Sequence, residues 1–165
     1  MPKPKRIPPG PGQESVWDYP RPPGLERVTS AIRIVLGGIT IVDTDDSWRV
    51  TETASPPTYY IDPTAFVPGV VRPAAGRSWC EWKGQASYVD LVAGKTVARQ
   101  AAWYYASPNP RYKPIAGYLS VYPSRIDACF LDGEEVRPQD GDFYGGWITS
   151  RVTGPFKGDA GTLGW

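Results

Sequence analysis

The chain contains no histidine. That absence removes Ser-His-Asp and Cys-His nucleophilic machinery, imidazole-ligated zinc, and any histidine base working near neutral pH. Cysteine is scarce as well: Cys80 and Cys129 are the only two, too few for a four-thiolate zinc site within one chain. They stand far apart, in neither a CxxC nor a metal-ligand spacing, so both are expected as unpaired thiols. Net charge is nearly missing too. Eighteen Lys and Arg against 17 Asp and Glu leave a formal charge of +1, which argues against broad electrostatic binding to nucleic acid or to a membrane surface. No apolar run approaches the roughly 18 residues of a membrane-spanning helix. The basic opening Met1-Pro2-Lys3-Pro4-Lys5-Arg6 lacks the following apolar stretch of about 7–15 residues that marks a secretory signal. A reducing, cytoplasmic setting is the expectation.

What the chain does have is proline, glycine and aromatic rings. Its 165 residues include 19 Pro, 18 Gly, 7 Trp, 10 Tyr and 4 Phe, a loop-rich composition with enough large rings to fill a core or wall a pocket. Proline dominates residues 1–15, which read as a flexible arm. Residues 16–25 remain extended but carry Trp17 and Tyr19, so they read as a strap lying on a folded surface. From residue 26 to 137 short strands alternate with tight turns. Ile32–Leu36 and Ile39–Asp43 flank Gly37-Gly38, Tyr88–Ala93 and Thr96–Ala101 flank Gly94-Lys95, and Ile126–Leu131 and Glu134–Val136 flank Asp132-Gly133. Each is a hairpin signal. One or two helical turns are expected after Asp62, an N-cap followed by Pro63. Residues 138–165 form a glycine-rich tail whose spaced aromatics order only by docking on the domain. The predicted class is all-β: one mostly antiparallel barrel-like domain between a strap and a tail.

Chemistry concentrates in a few strings. Cys80-Glu81-Trp82-Lys83-Gly84 is the densest. Cys80 reads either as a nucleophile or polar contact, with Lys83 stabilising negative charge beside it, or as a small buried apolar residue with Lys83 on the surface. Glu52 reads as a base, or as a strand carboxylate paired with Arg49 or Arg33. Pro56-Pro57 aims Tyr59 and Tyr60. Trp79, Trp82, Trp103, Tyr105 and Tyr118 either wall a cleft or fill a core. Strand alternation sets Trp82, Gly84 and Ala86 on one face, and a bulge at Gly84 would turn Lys83 inward. Asp43-Thr44-Asp45-Asp46 is the one acidic cluster with any metal potential, but its place at a strand end suits turn chemistry. No Gly-x-x-x-x-Gly-Lys-Ser/Thr phosphate cradle occurs, and no cofactor or metal is called for.

Glu52, Pro56-Pro57-Thr58-Tyr59-Tyr60, the string from Cys80 to Tyr88, Ala102-Trp103-Tyr104-Tyr105 and Ile115-Ala116-Gly117-Tyr118 resemble a bacterial family, domain of unknown function 427. The likeness runs over about residues 27–137, and the strap and tail resemble its extended actinobacterial form. The resemblance implies a compact, mostly antiparallel, partly open barrel or tent-like fold, usually cytoplasmic. A nucleotidyltransferase-like label accompanies the family, but the resemblance supplies no reaction. It also makes Glu52 the carboxylate to stand near Lys83. The resulting expectation is a small-molecule-binding β domain, monomer or homodimer. Glu52, Lys83 and Cys80 carry any chemistry, and Tyr60, Trp82, Trp103, Tyr105 and Tyr118 line the site. Two alternatives stand beside it: a cofactor-free acid/base or transferase enzyme using Glu52 and Lys83, and an interaction module using the strap or the tail.

Overall fold

The computed structural model describes residues 5–80, 82–140 and 145–157; Phe143-Tyr144 and the tail from residue 158 to 165 lie outside the described residues. The protein is all-β. One four-stranded antiparallel sheet runs in the order Ser120–Val121, Thr96–Tyr104, Gly84–Ala93, Val71–Cys80. A second runs Glu134–Glu135, Ala128–Leu131, Ile32–Leu36, Ile39–Thr44, and a three-stranded sheet runs Gly24–Val28, Ser47–Thr51, Thr58–Tyr60. The strands form several separate, mostly antiparallel sheets, with no closed ring of strands among the described residues. The three hairpins form at the three turn dipeptides, with positive φ at both Gly37 and Gly38 as a two-residue hairpin turn demands. Asp62 caps a single 3-10 turn, Pro63–Ala65, by accepting from the Thr64 amide at 2.9 Å.

Two interiors share these strands. Ile32, Ile34, Leu36, Ile41, Ile61, Leu91 and Leu131 pack into an aliphatic cluster in which none is more than 2% exposed. Tyr60, Trp103, Tyr105, Tyr112 and Tyr122 form an aromatic cluster with Val50, Ala86 and Ile115. The strand Gly84–Ala93 feeds both, giving Ala86 to the aromatic side and Val89, Leu91 and Ala93 to the aliphatic side.

Strap and tail clasp one another. Val16 and Tyr19 pack with Ile148, Val152 and Phe156, and Glu14–Ser15 pairs in parallel with Val152–Thr153. Residues read as flexible arm also join this clasp: the Ile7 amide donates to the Gly154 carbonyl at 2.9 Å, and Gln13 Nε2 donates to the Ser150 carbonyl at 2.8 Å. Trp147, 1% exposed, docks its ring 5.0 Å from that of Tyr59 and donates from Nε1 to the Val121 carbonyl at 3.0 Å.

Candidate functional site

A cavity of about 270 Å³ opens beside the aromatic cluster. Four chain segments supply most of its wall among the described residues, and Tyr122 adds to it. The first is the hairpin between Val71–Cys80 and Gly84–Ala93. Cys80 and Gly84 pair directly, so Lys83 is the last residue of a three-residue turn, and the main register break on this hairpin falls between Pro73 and Arg77. The expected bulge at Gly84 is therefore corrected: the turn itself, entering Gly84 at φ 107°, carries Lys83 inward. Asn109 fastens the turn, donating from its amide to the Lys83 carbonyl at 3.1 Å and from Nδ2 to the Trp82 carbonyl.

The second segment is the bend after Ser47–Thr51. Glu52 stands just past the strand, and Ala54 holds φ 70°, a strained conformation for alanine that persists only where the surroundings fix it. They do. The Ala54 amide donates to the Val16 carbonyl at 3.0 Å, and its carbonyl accepts from the Lys157 amide at 2.6 Å. Pro56-Pro57 then returns the chain to Thr58–Tyr60, where alternation sends consecutive tyrosines to opposite faces. Tyr60 joins the aromatic cluster while Tyr59 packs in the aliphatic one, so the two rings are not aimed at one place.

The third segment supplies Trp103 and Tyr105. Trp103 Nε1 donates to the Tyr60 hydroxyl at 3.2 Å, with the rings edge to face at 6.2 Å; Trp103 also leans on Tyr122 at 4.6 Å. The fourth segment is the tail, which contributes Gln139, Gly145, Gly146 and Lys157. A Cβ on Gly145 would overlap the Trp103 ring, and one on Gly146 would meet Gln139 Oε1 at 2.5 Å and Pro56 Cγ at 2.9 Å. The backbone passes too close here for any side chain.

Glu52, Tyr60, Cys80, Trp82, Lys83, Trp103 and Tyr105 all line this one cavity. Tyr118 does not; its hydroxyl instead neighbours Asp62, whose carboxyl is held below the usual carboxylate range by the Thr64 amide first and by Tyr118 in part. Ser78 and Tyr88, bonded hydroxyl to hydroxyl at 3.0 Å, and Tyr122 line it too, as does Trp79, 74% exposed. Trp79 belongs to the aromatic set already noted, but Gln139 and Lys157 carried no signal before the fold was known. Glu52 pairs with neither expected arginine. Arg49 is bound by Glu14 at 2.6 Å and by Glu26, and Arg33 lies over the Phe130 ring at 4.3 Å.

Lys83 is the unusual member. It is 6% exposed, with its ammonium 5.9 Å from the Tyr105 ring centroid. Among the described residues no carboxylate lies within 4.0 Å of it. Burial opposes its charge, but Tyr60, Glu52 and Cys80 around it outweigh that cost and hold its pKa above the ordinary lysine range. Burial, with Tyr60 adjacent, pushes the Tyr105 phenol far up, and burial raises Tyr60 as well. At neutral pH the cavity therefore presents a charged ammonium and protonated phenols.

Both thiols are free: Cys80 faces this cavity, while Cys129 is buried at 1% exposure and its thiol is pushed up by burial. Asp46, in the acidic string, pairs with Arg27 at 2.9 Å. Among the described residues no three His, Cys, Asp or Glu side chains gather as a metal site, a poor fit to the magnesium-dependent phosphoryl chemistry that a nucleotidyltransferase label implies. Among the described residues no helix is long and apolar enough to cross a membrane.

A family model described as Domain of unknown function (DUF427), labelled NTP_transf_9, matches residues 24–132. No curated protein matches the chain. The tail residues of the cavity wall, from Gln139 to Lys157, all lie beyond the matched stretch.

Proposed function

The chain belongs to the DUF427 family, and we propose on that footing that it binds a small molecule in the aromatic cavity, with Lys83 as the anchor for an anionic group. One observation carries the reading: a lysine 6% exposed lines a cavity of about 270 Å³ with no described carboxylate in ion-pair contact. A buried ammonium left this way costs several kcal/mol unless something compensates it. Here Tyr60, Glu52 and Cys80 around it, with the ring of Tyr105, keep the ammonium charged, and the open volume beside them has room for an anionic group. The size lies near the lower end of the roughly 300–1,000 Å³ typical of ligand sites, which suits one compact molecule.

The enzymatic alternative has its own support, because Glu52 and Lys83 line the same cavity. In that reading Glu52 takes a proton and the ammonium of Lys83 steadies the oxyanion that results. A lysine held charged is a poor nucleophile, so imine chemistry at Lys83 is disfavoured. The interaction reading has less support: the apolar faces of strap and tail are spent on each other. Native mass spectrometry of protein isolated from its own host tests the proposal. An adduct of defined mass that disappears on denaturation supports it; a bare chain under conditions that retain bound ligands counts against it.

A further inference from the structure

We propose that the groove walled by the second half of the strap is a docking site for an acidic peptide in extended conformation. The surface is separate from the aromatic cavity. The two linings share no residue among those described, and the inference stands without the small-ligand reading.

The groove begins where the clasp ends. Val16 and Tyr19 pack against the tail, but Pro20 to Gly24 take no part in that cluster. They line instead an open space of about 610 Å³, larger than the aromatic cavity. Much of its wall is apolar. Trp48 and Leu25 are only half-buried and rest against the aromatic cluster, with Pro22 and Pro23 beside them. The Tyr112 hydroxyl fixes the proline wall by donating to the Pro23 carbonyl at 2.8 Å. Tryptophan and arginine together are the residue types in which binding hot spots are richest.

Charge decides the partner. Arg21 and Arg111 line the groove and are exposed, and no acidic side chain lines it among the described residues. Neither guanidinium makes an ion pair there. Arg111 keeps a hydrogen bond with Tyr112, a neutral partner that leaves its charge unmatched. Lys113 adds a third cation on the same short segment, Pro110–Ile115. Glu26, on the strand that leaves the groove, is already taken by Arg49. Arginine meets a carboxylate with two parallel hydrogen bonds, so aspartate and glutamate side chains match this wall.

The backbone explains why the partner is a peptide. Gly24–Val28 is the outermost strand of its sheet and pairs only with Ser47–Thr51 among the described residues. Its outward groups make no other main-chain hydrogen bond there. An extended peptide adds to such an edge through its own main chain, while side-chain pockets supply specificity. A nucleic-acid strand fits less well. It repeats a phosphate about every 3.4 Å, whereas the chain has a net charge of only +1.

The test is selection of randomised dodecapeptides, displayed on phage, against the purified full chain. The most enriched peptide is then synthesised and titrated by fluorescence anisotropy, with a single-stranded oligonucleotide titrated alongside. Enriched peptides are expected to be rich in aspartate and glutamate and to carry an apolar residue. The double change Arg21→Glu and Arg111→Glu should weaken the synthesised peptide about tenfold or more. On the unaltered chain, the bound peptide should slow hydrogen exchange within Gly24–Val28, a readout that stands even where the double variant fails to fold. No enrichment, enrichment of peptides without acids, or affinity indifferent to the two arginines would overturn the inference. So would protection that spares Gly24–Val28, or tighter binding of the oligonucleotide. None of these outcomes touches small-molecule binding in the cavity, which the native-mass experiment decides separately.

Discussion

The aliphatic and aromatic interiors draw on the same strands, yet they are built differently. Around Ile34 and Leu91 the cluster is mainly aliphatic, with Tyr59, Phe66 and Trp147 at its side and Cys129 sealed in at 1% exposure. Around Tyr60 and Trp103 the side chains carry polar handles, a lysine is tucked among them, and a cavity remains beside them. A chain seeking only stability has no reason to bury Lys83 where hydrocarbon would pack. On the proposed function the first interior serves stability and the second recognition, with Tyr59 and Tyr60 sending consecutive rings into the two.

The comparison can be broken most forcefully at Ile34, which is fully buried. Ile34→Ala is expected to cost about 2–5 kcal/mol of unfolding free energy in urea denaturation, while the folded fraction keeps its ligand affinity. Loss of affinity at constant folded fraction would show that the two interiors are not separable. Next in size is Gly145→Ala, whose new Cβ runs into Trp103 and meets Tyr122 Cδ1 at 3.2 Å. Overpacking of this kind typically costs about 1–3 kcal/mol. Here it also displaces a cavity wall, so binding should fall along with the melting temperature. Binding unchanged by Gly145→Ala would remove the tail from the site.

The three hairpins, the capped turn after Asp62 and most of the pocket set were legible in the sequence, because each rests on local chemistry: a glycine dipeptide, an Asp-Pro pair, aromatic residues spaced along strands. What was not legible is long-range. Nothing near Glu14 announces Val152 as its strand partner, and nothing near Gln139 or Lys157 announces a cavity built largely by residues 50–105. The facing of Lys83 was anticipated for the wrong reason, since alternation applies to strands and Lys83 sits in a turn. Tyr118 has the right residue type, but it sits after a 3-10 segment that leaves it beside Asp62.

The cysteines sharpen the contrast at smaller scale, because one stands in each interior. Iodoacetamide should label Cys80 and spare Cys129 in the folded protein, as read by peptide mass mapping, since Cys129 is 1% exposed and its thiol is pushed up by burial. Equal labelling of both would mean that the aliphatic interior opens as readily as the cavity.

The smallest effect concerns acid. Glu14 is lowered chiefly by its hydrogen bond with Arg49, and Glu134 chiefly by that from Ser150. A carboxyl whose folded pKa lies below its unfolded value adds stability above the unfolded value and loses it as pH falls through the folded one. These two groups tie down strap and tail, so acidification below the usual carboxylate range should loosen the clasp first. Hydrogen exchange at Val152 and Trp147 should then accelerate before that at Ile34; simultaneous acceleration would deny the tail any independence.

The central claim is that Lys83 is buried to hold a ligand anion. A crystal structure of the chain as isolated from its own host tests this most directly. The expected result is a compact ligand in the cavity with an oxygen within about 2.7–3.2 Å of the Lys83 ammonium. A cavity filled by protein side chains, with Lys83 closed onto Glu52 as an ion pair, would contradict the claim.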